Sequence, residues 1–208
     1  MSELQFIGLQ QKHRELNLGK GYDAEDGPRR REMHGSIKSL GPQTKTLLPG
    51  NYRYSSITLS GGSKLILSGP SIIHMDGDLK VSGGHDGNDG HGGNCEKSEQ
   101  SSIVIASGSV TIYANGKKID FSGGSLINNT QDPMNLTIYG TARLQSVNLS
   151  GRTNQHLLLY APTAAITLSG GQNTFGSVIG RTVNISGGSS VHYDEILSYQ
   201  SSRKEALP

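Results

Sequence analysis

The sequence predicts an all-β fold, a right-handed parallel β-helix (solenoid) of about five to six coils with a polar N-terminal arm. Three observations predict it: a short strand pattern recurs along the chain, the copies are regularly spaced, and glycine is abundant. Glycine accounts for 29 of the 208 residues, whereas hydrophobic residues make up only 33%. This glycine share is about twice the usual one of roughly 7%, which disfavours a helical bundle. The small apolar fraction favours one core over two.

The recurring pattern is an apolar residue, any residue, a second apolar residue, Ser and Gly. Each copy predicts a short strand whose two apolar residues face inward, whose middle residue faces outward, and whose glycine permits a bend. The seven copies occupy residues 57–61, 65–69, 79–83, 119–123, 147–151, 166–170 and 183–187. Related strands without Ser-Gly occupy residues 73–75, 103–105, 110–112, 136–138 and 157–159.

The spacing of the strands separates a solenoid from a sandwich. Strands start about 17 residues apart at Ile103, Ile119 and Leu136, and 17 to 19 residues apart at Val147, Ile166 and Val183. Such a period suits a coil of three short strands and three bends, stacked about 4.8 Å apart around an aliphatic column. A Gly-rich sandwich or jelly roll with coincidental spacing is the alternative.

Composition divides the chain into three parts. Residues 1–46 are predicted to form the N-terminal arm, partly extended or with a short helix, because charged residues cluster there with Gly and Pro. Residues 47–197 form the β-helix domain, interrupted by a Gly-rich loop excursion at 83–102, and residues 198–208 form a C-terminal tail. We expect no secretory signal and no direct membrane span, since no run approaches the roughly 20 apolar residues required.

Charge and cysteine usage exclude some functions and leave others open. The formal net charge is +2, from 19 basic and 17 acidic residues, so no strong field recruits nucleic acid. Cys95 is the single cysteine and has no internal disulfide partner. The sequence contains no phosphate loop, no dinucleotide fingerprint and no Gly-x-Ser-x-Gly nucleophile elbow.

The order of motifs toward the C-terminus resembles a known family. The series comprises Leu157 to Pro162, Ile166 to Gly171, Phe175 to Gly180 and Val183 to Gly187, and it closes with His192-Tyr193-Asp194-Glu195. This series is similar to the C-terminal β-helical domain of unknown function found in bacterial PilX-type pilus-assembly and surface proteins. The resemblance covers about residues 47–197. It implies an extracellular or cell-surface structural or adhesive module, without known chemistry.

Residues 83–94 form the most unusual stretch and are rich in potential metal ligands. His85, Asp86, Asp89, His91 and Cys95 are residue types that bind zinc, nickel or copper. Their spacing matches no standard metal site and departs from the EF-hand loop. We therefore interpret the stretch as a flexible loop between coils and predict no metal and no cofactor.

The closing residues His192, Tyr193, Asp194 and Glu195 are interpreted as a structural cap. A solenoid must cover the open aliphatic end of its last coil, and Tyr193 is suited to do so. Adjacent residues in a strand point to opposite faces, so His192 and the two carboxylates do not converge on one substrate atom.

Three functions from different classes follow from these patterns. The first is a non-enzymatic structural or interaction module that assembles through the β-helix ends and the arm, with itself or with pilus and surface proteins as partners. The second is a carbohydrate- or surface-binding adhesin domain, although no Trp and little Phe is present to form a sugar platform. The third is a polysaccharide-active enzyme that uses Asp76, Asp78 and Asp120. The sequence favours the first.

Overall fold

The computed structural model describes residues 32–83, 100–151 and 153–193. In this part of the chain the protein is all-β, its named strands pair in parallel, and the architecture is consistent with a parallel β-helix. The strands are β1 (Glu32–His34), β2 (Ile37–Leu40), β3 (Thr44–Leu47), β4 (Gly50–Tyr54), β5 (Ile57–Ser60), β6 (Lys64–Ser68), β7 (Ser71–Met75), β8 (Leu79–Val81), β9 (Ser102–Ser107), β10 (Val110–Ala114), β11 (Lys118–Ser122), β12 (Ser125–Asn128), β13 (Leu136–Gly140), β14 (Ser146–Ser150), β15 (Gln155–Ser169), β16 (Asn173–Ile185) and β17 (Ser190–Tyr193). A short 3-10 turn at Pro133–Asn135 precedes β13.

Pairing arranges the strands in three faces. The first face contains β1, β4, β7, β10, β13, the first parts of β15 and β16, and β17. The second face contains β2, β5, β8, β11, β14 and the second parts of β15 and β16. The third face contains β3, β6, β9 and β12. The long strands β15 and β16 bend from the first face into the second, so the two faces form one continuous sheet.

The recurring pattern marks the second face. Six of its seven copies stack there in register, and the exception, Leu65 to Gly69, lies on the third face. The first apolar residues of these six copies form a column, and Ile37 of β2 extends the column by one turn toward the N-terminus. The column comprises Ile37, Ile57, Leu79, Ile119, Val147, Ile166 and Val183. Because strands alternate their side chains, this register brings the aliphatic residues together in one core.

Part of the predicted period is wrong. Ile103, Ile119 and Leu136 lie on the third, second and first faces, so the step of about 17 residues between them is not one turn of the solenoid. Val147, Ile166 and Val183 do stack in one column, as expected. Each of these steps spans two strands, from β9 to β11 and from β11 to β13, so it covers two faces of the solenoid and not three.

The paired strands begin before the predicted domain boundary at residues 46 and 47. Residues 32–47 form β1, β2 and β3, which pair with β4, β5 and β6. Ile37 and Leu47 supply the reason, because both enter the core and are 5% and 3% exposed. Because Lys38 and Lys45 lie in the same two strands, the sequence alone did not identify Ile37 and Leu47 as core residues. The remainder of the predicted arm at 1–31, residues 84–99 of the excursion and the tail at 198–208 lie outside the described residues.

Polar side chains replace aliphatic ones at some core positions. Gln155 donates from Nε2 to Oε1 of Gln172 at 2.8 Å, and Gln172 in turn donates from Nε2 to the Leu149 carbonyl at 2.6 Å. Both glutamines are fully buried. These bonds satisfy polar groups that burial would otherwise penalise. In the described ranges, no helix has the length and apolar character needed to span a membrane.

Candidate functional site

An exposed row of aromatic side chains runs along the first face. His74, Tyr113, Tyr139 and Tyr160, which we call the aromatic row, occupy the same position in β7, β10, β13 and β15. Their neighbours Ile112 and Ile138 in the strands point into the core, so the aromatic rings point outward. The three tyrosines are 38%, 40% and 46% exposed, in chain order.

The rings of the aromatic row contact one another along the solenoid axis. His74 stacks on Tyr113 with centroids 5.1 Å apart, and Tyr113 stacks on Tyr139 at 5.4 Å, both at angles below 20°. Tyr160 breaks the series, because its ring meets Tyr139 edge-on at 6.3 Å and 63°. Stacked rings of this kind form a rigid surface that presents ring edges to solvent, and each pair contributes about 0.5–1.5 kcal/mol.

A row of polar side chains lies beside the aromatic row. Asp76, Asn115 and Thr141 directly follow β7, β10 and β13, and we call them the polar row. Thr141 donates from Oγ1 to Oδ1 of Asn115 at 2.9 Å. Arg53 on β4 donates to both carboxylate oxygens of Asp76, from Nε at 2.7 Å and from Nη2 at 3.1 Å. The hydrogen bonds and charge of Asp76 raise the pKa of Arg53.

His74 and Tyr113 of the aromatic row and all three residues of the polar row border a shallow groove. The groove has a volume of about 280 Å³, and its lining includes Arg53, His74, Tyr113, Asn115 and Thr141. Because Arg53 and Asp76 neutralise each other, the groove combines aromatic edges with hydroxyl and amide groups and carries little net charge. Such a surface is suited to bind a neutral ligand that both donates and accepts hydrogen bonds.

A second, shorter aromatic ladder lies nearer the C-terminal end of the first face. Phe175 stacks between His156 and His192, with centroid separations of 4.8 and 4.9 Å. Ser190 Oγ lies 2.9 Å from Nε2 of His192 and donates to Oδ1 of Asn173 at 2.6 Å. This ladder fastens the short strand β17 to β16.

The structure describes two of the four predicted cap residues, and they lie on β17. His192 packs on Phe175, whereas Tyr193 is in register with Gly176 at the end of a core column and remains 61% exposed. Asp194 and Glu195 lie outside the described residues. The capping interpretation therefore stays a prediction.

The three carboxylates considered for catalysis make separate structural contacts. Asp76 pairs with Arg53, and Asp78 accepts the backbone N–H groups of Lys117 and Lys118 at 2.8 and 2.9 Å. Asp120 pairs with Nζ of Lys118 at 2.8 Å. Each contact holds a carboxylate as an acceptor at a strand or corner, and a catalytic use of these residues stays a prediction.

Burial and hydrogen bonding act in opposite directions on Asp120. Burial by itself raises the pKa of this carboxyl, but hydrogen bonds from Lys118 and Asn148 and the positive charge of Lys118 outweigh burial. The pKa of Asp120 therefore lies below its ordinary value.

The described residues contain no group of three or more His, Cys, Asp or Glu side chains arranged to hold a metal ion. The ligand-rich positions His85, Asp86, Asp89, His91 and Cys95 lie outside the described residues. The prediction that the chain binds no metal and no cofactor is therefore not tested by this structure.

The two described ends of the β-helix differ in the side chains they present. At the C-terminal end, the core-column residues Val183 and Ile185 of β16 are 42% and 46% exposed. At the N-terminal end, Ser39 on β2 and Lys45 on the third-face strand β3 occupy the core positions in register with Leu59 and Leu65. Burial lowers the pKa of Lys45.

Sequence reasoning missed the aromatic row, although a local signal for it exists. Tyr113, Tyr139 and Tyr160 each follow an inward aliphatic residue and precede Ala or Gly, in the segments VTIYA, LTIYG and LLLYA. The absence of Trp counted against an exposed aromatic surface, and tyrosine was not considered in its place. Stacking of the three segments in one register follows only from the fold.

Comparison with known proteins identifies a family without a known function. A family model described as a domain of unknown function, DUF7305, matches residues 23–199. The description does not mention PilX-type proteins or pilus assembly. No curated protein and no solved structure matches the chain.

Proposed function

The chain belongs to the family of the domain of unknown function DUF7305, and from this premise we propose that it is a non-enzymatic structural and interaction module that associates with a second copy through the C-terminal end of its β-helix. The family supplies no activity, so the proposal depends on the surfaces of the protein. The observation that carries it is the exposure of Val183 and Ile185 at 42% and 46% on an edge strand.

The second part of β16 presents apolar surface and, among the described strands, an edge without a pairing partner. Thr182 to Ile185 pair with β15 on one side, whereas β17 pairs only with Asn173 to Gly176. Among the described strands, none pairs with Thr182 to Ile185 on the other side. An edge with unpaired N–H and C=O groups is a ready template for a strand of another chain.

The opposite end of the β-helix is unsuited to the same contact. The lysine at core position 45 would place a charge against any strand stacked on β3, and inward charges of this kind are a common protection of sheet edges. Ile37 and Leu47 in the first turn are also buried. The asymmetry favours a tail-to-tail pair over a head-to-tail filament.

A tail-to-tail pair is a two-fold arrangement in which both copies use the same patch. The two β16 edges would pair antiparallel, and Val183 and Ile185 of one copy would pack against the same residues of the other. Two-fold dimers with such self-complementary interfaces are the commonest soluble oligomers. The contact would extend the aliphatic column across the interface and remove its exposed end from water.

The proposal includes a right-handed solenoid. Crossover connections between parallel strands of one sheet are right-handed in about 98% of cases. For residues 47–197 we retain the expected five to six coils, and the strands β1, β2 and β3 add one further turn. The resemblance to domains of bacterial surface proteins supports an extracellular or cell-surface setting, which cell fractionation with an antibody to the protein would test.

Sedimentation velocity of the unmodified protein and two variants tests the end contact. We expect the unmodified protein to dimerise with rising concentration and Ile185→Lys to weaken dimerisation at least tenfold, because a lysine would be buried in the apolar contact. Asn184→Lys is the matched control, since Asn184 is in register with Thr167 on the outer side of the same strand. It should dimerise like the unmodified protein.

Three outcomes would contradict the tail-to-tail contact. A protein that stays monomeric at all accessible concentrations has no such interface. Equal weakening by Ile185→Lys and Asn184→Lys would place the contact elsewhere or make it purely electrostatic. Open filaments in electron micrographs would indicate head-to-tail association instead.

A further inference from the structure

We propose that the groove between the aromatic row and the polar row binds a neutral, extended glycan chain that runs along the solenoid axis. The site is independent of the end contact, because the groove lies on the first face and the end contact lies on the second. The ligand class follows from the shape, charge and chemistry of the groove.

The direction of the groove favours a linear polymer. Its aromatic and polar residues come from successive turns, which are about 4.8 Å apart in a parallel sheet. His74, Tyr113 and Tyr139 therefore repeat at ring-centroid separations of 5.1 and 5.4 Å. A linear polymer with a short repeat can make the same contact on each turn, whereas a compact ligand can use only one.

The chemistry of the groove favours a polyhydroxylated ligand. Along one side, tyrosine ring edges and hydroxyls offer apolar contact together with hydrogen bonds. On the other, Asn115 and Thr141 have amide and hydroxyl groups, of which the Asn115 oxygen already accepts from Thr141. Sugars present both C–H surface and hydroxyl groups, so they match both sides at once.

The charge of the groove favours a neutral ligand. The guanidinium of Arg53 is held by both oxygens of Asp76, so neither charge is left unbalanced. An acidic chain would have to displace Asp76 from Arg53, and a basic one would have to displace Arg53 from Asp76. A neutral chain can accept from Arg53 and donate to Asp76 at the rim while that pair stays intact.

Tyr160 makes the end of the row suited to stacking. Its ring is turned by 63° from Tyr139, and it is the most exposed tyrosine of the row at 46%. The turn means that the Tyr160 ring does not stack flat on Tyr139. A sugar ring could therefore pack on Tyr160 while the preceding residues of the chain follow the ring edges.

Calorimetric titration with defined hexasaccharides tests the proposal. Cellohexaose and mannohexaose serve as neutral probes, hexagalacturonate as an acidic probe and decaproline as a peptide probe for aromatic grooves. We expect a neutral hexasaccharide to bind and Tyr113→Ala to weaken its binding at least tenfold, because Tyr113 is the tyrosine of the aromatic row that lines the groove. Phe175→Ala is the matched control, because it removes an aromatic side chain from the other ladder of the same face, and it should leave the affinity within twofold.

A second measurement needs no variant. The chain has eight Tyr and no Trp, so its intrinsic fluorescence reports the tyrosines directly. Binding in the groove should change that fluorescence with the same midpoint as the calorimetric titration, even if Tyr113→Ala fails to fold.

The proposal is overturned by any of four results. The first is the absence of both heat and fluorescence change with the two neutral probes at millimolar concentration. The second is an equal loss of affinity in a folded Tyr113→Ala and in Phe175→Ala. The third is tighter binding of hexagalacturonate than of either neutral probe, and the fourth is tighter binding of decaproline. The last result would assign the groove to an extended peptide.

Discussion

Asp120 shows how one side chain connects neighbouring turns of the solenoid. It lies on β11, is 8% exposed, and accepts from Asn148 of the next turn at 3.1 Å while it pairs with Lys118. Lys80 of the preceding turn is in register with it. An ionised carboxylate in this position is stabilised by its partners more than it is destabilised by burial, and the lowered pKa expresses that balance.

We expect Asp120 to contribute stability that depends on pH. Because its folded-state pKa is lowered, the contribution is fully present above the unfolded pKa of about 3.9 and is lost as the pH falls through the folded value. Asp120→Asn should lower the free energy of unfolding by about 1 kcal/mol at pH 7, and this difference should shrink below about pH 4. Urea unfolding at pH 7, 5 and 3 measures it.

A double-mutant cycle supplies the control for this prediction. Lys118→Met removes the other member of the pair, so the double variant should cost less than the two single variants added together. A constant difference between Asp120→Asn and the unmodified protein from pH 7 to 3 would mean that the pair does not set the stability.

At the scale of elements, the bends decide how closely successive turns stack. Glycines that end four copies of the recurring pattern adopt positive φ, and these are Gly61, Gly123, Gly170 and Gly187. Elsewhere a glycine is required by space alone. A Cβ on Gly116, at the corner between β10 and β11, would overlap the carbonyl oxygen of Gly77 in the turn before.

Gly116→Ala should therefore destabilise the protein by at least about 2 kcal/mol, because backbone would have to move at a corner where two turns are in contact. Gly50→Ala is the matched control, since neither glycine adopts a left-handed φ and a Cβ at Gly50 would lie 3.5 Å from the Tyr52 ring, an ordinary contact. Thermal unfolding of both variants measures the contrast. Equal changes in Tm would show that the corner yields easily.

At the scale of the whole molecule, the β-helix is a column of turns in which each turn covers the core of its neighbour. The described end at β16 leaves Val183 and Ile185 more exposed than any other residues of their columns. Exposed apolar surface next to a strand edge is where the binding of a second copy would bury the most apolar area and form new backbone hydrogen bonds. Association at that edge would stabilise the fold as well as the dimer.

This coupling predicts a concentration-dependent melting temperature. Partner binding at 100 times the Kd stabilises a folded protein by about 2.7 kcal/mol, so the Tm of the unmodified protein should rise with its concentration. The Tm of Ile185→Lys should be independent of concentration, and that of Asn184→Lys should follow the unmodified protein. Differential scanning calorimetry over a hundredfold concentration range distinguishes these cases, and identical slopes in all three would exclude the edge contact.

The sequence by itself determined the strands and their bends, because these follow from local alternation. The pattern of apolar, any, apolar, Ser and Gly identifies inward positions such as Ile166 and Leu168 without knowledge of any neighbour, since side chains alternate across every strand. The same reasoning was insufficient at residues 32–47, where the buried Ile37 and Leu47 lie in a polar stretch together with the exposed Leu40. Only the pairing partners identify Ile37 and Leu47 as core residues.

Only the tertiary structure decided which strands stack, and the candidate sites depend on that choice. Tyr113 and Tyr139 become neighbours because β10 pairs with β13 across two intervening strands of other faces, and loops of unequal length hide this relation in the sequence. The difference between the two ends was equally hidden. In the proposed end contact Ile185 would favour association and Lys45 would oppose it, because each occupies the last described position of a core column, and only the register of the solenoid defines those columns.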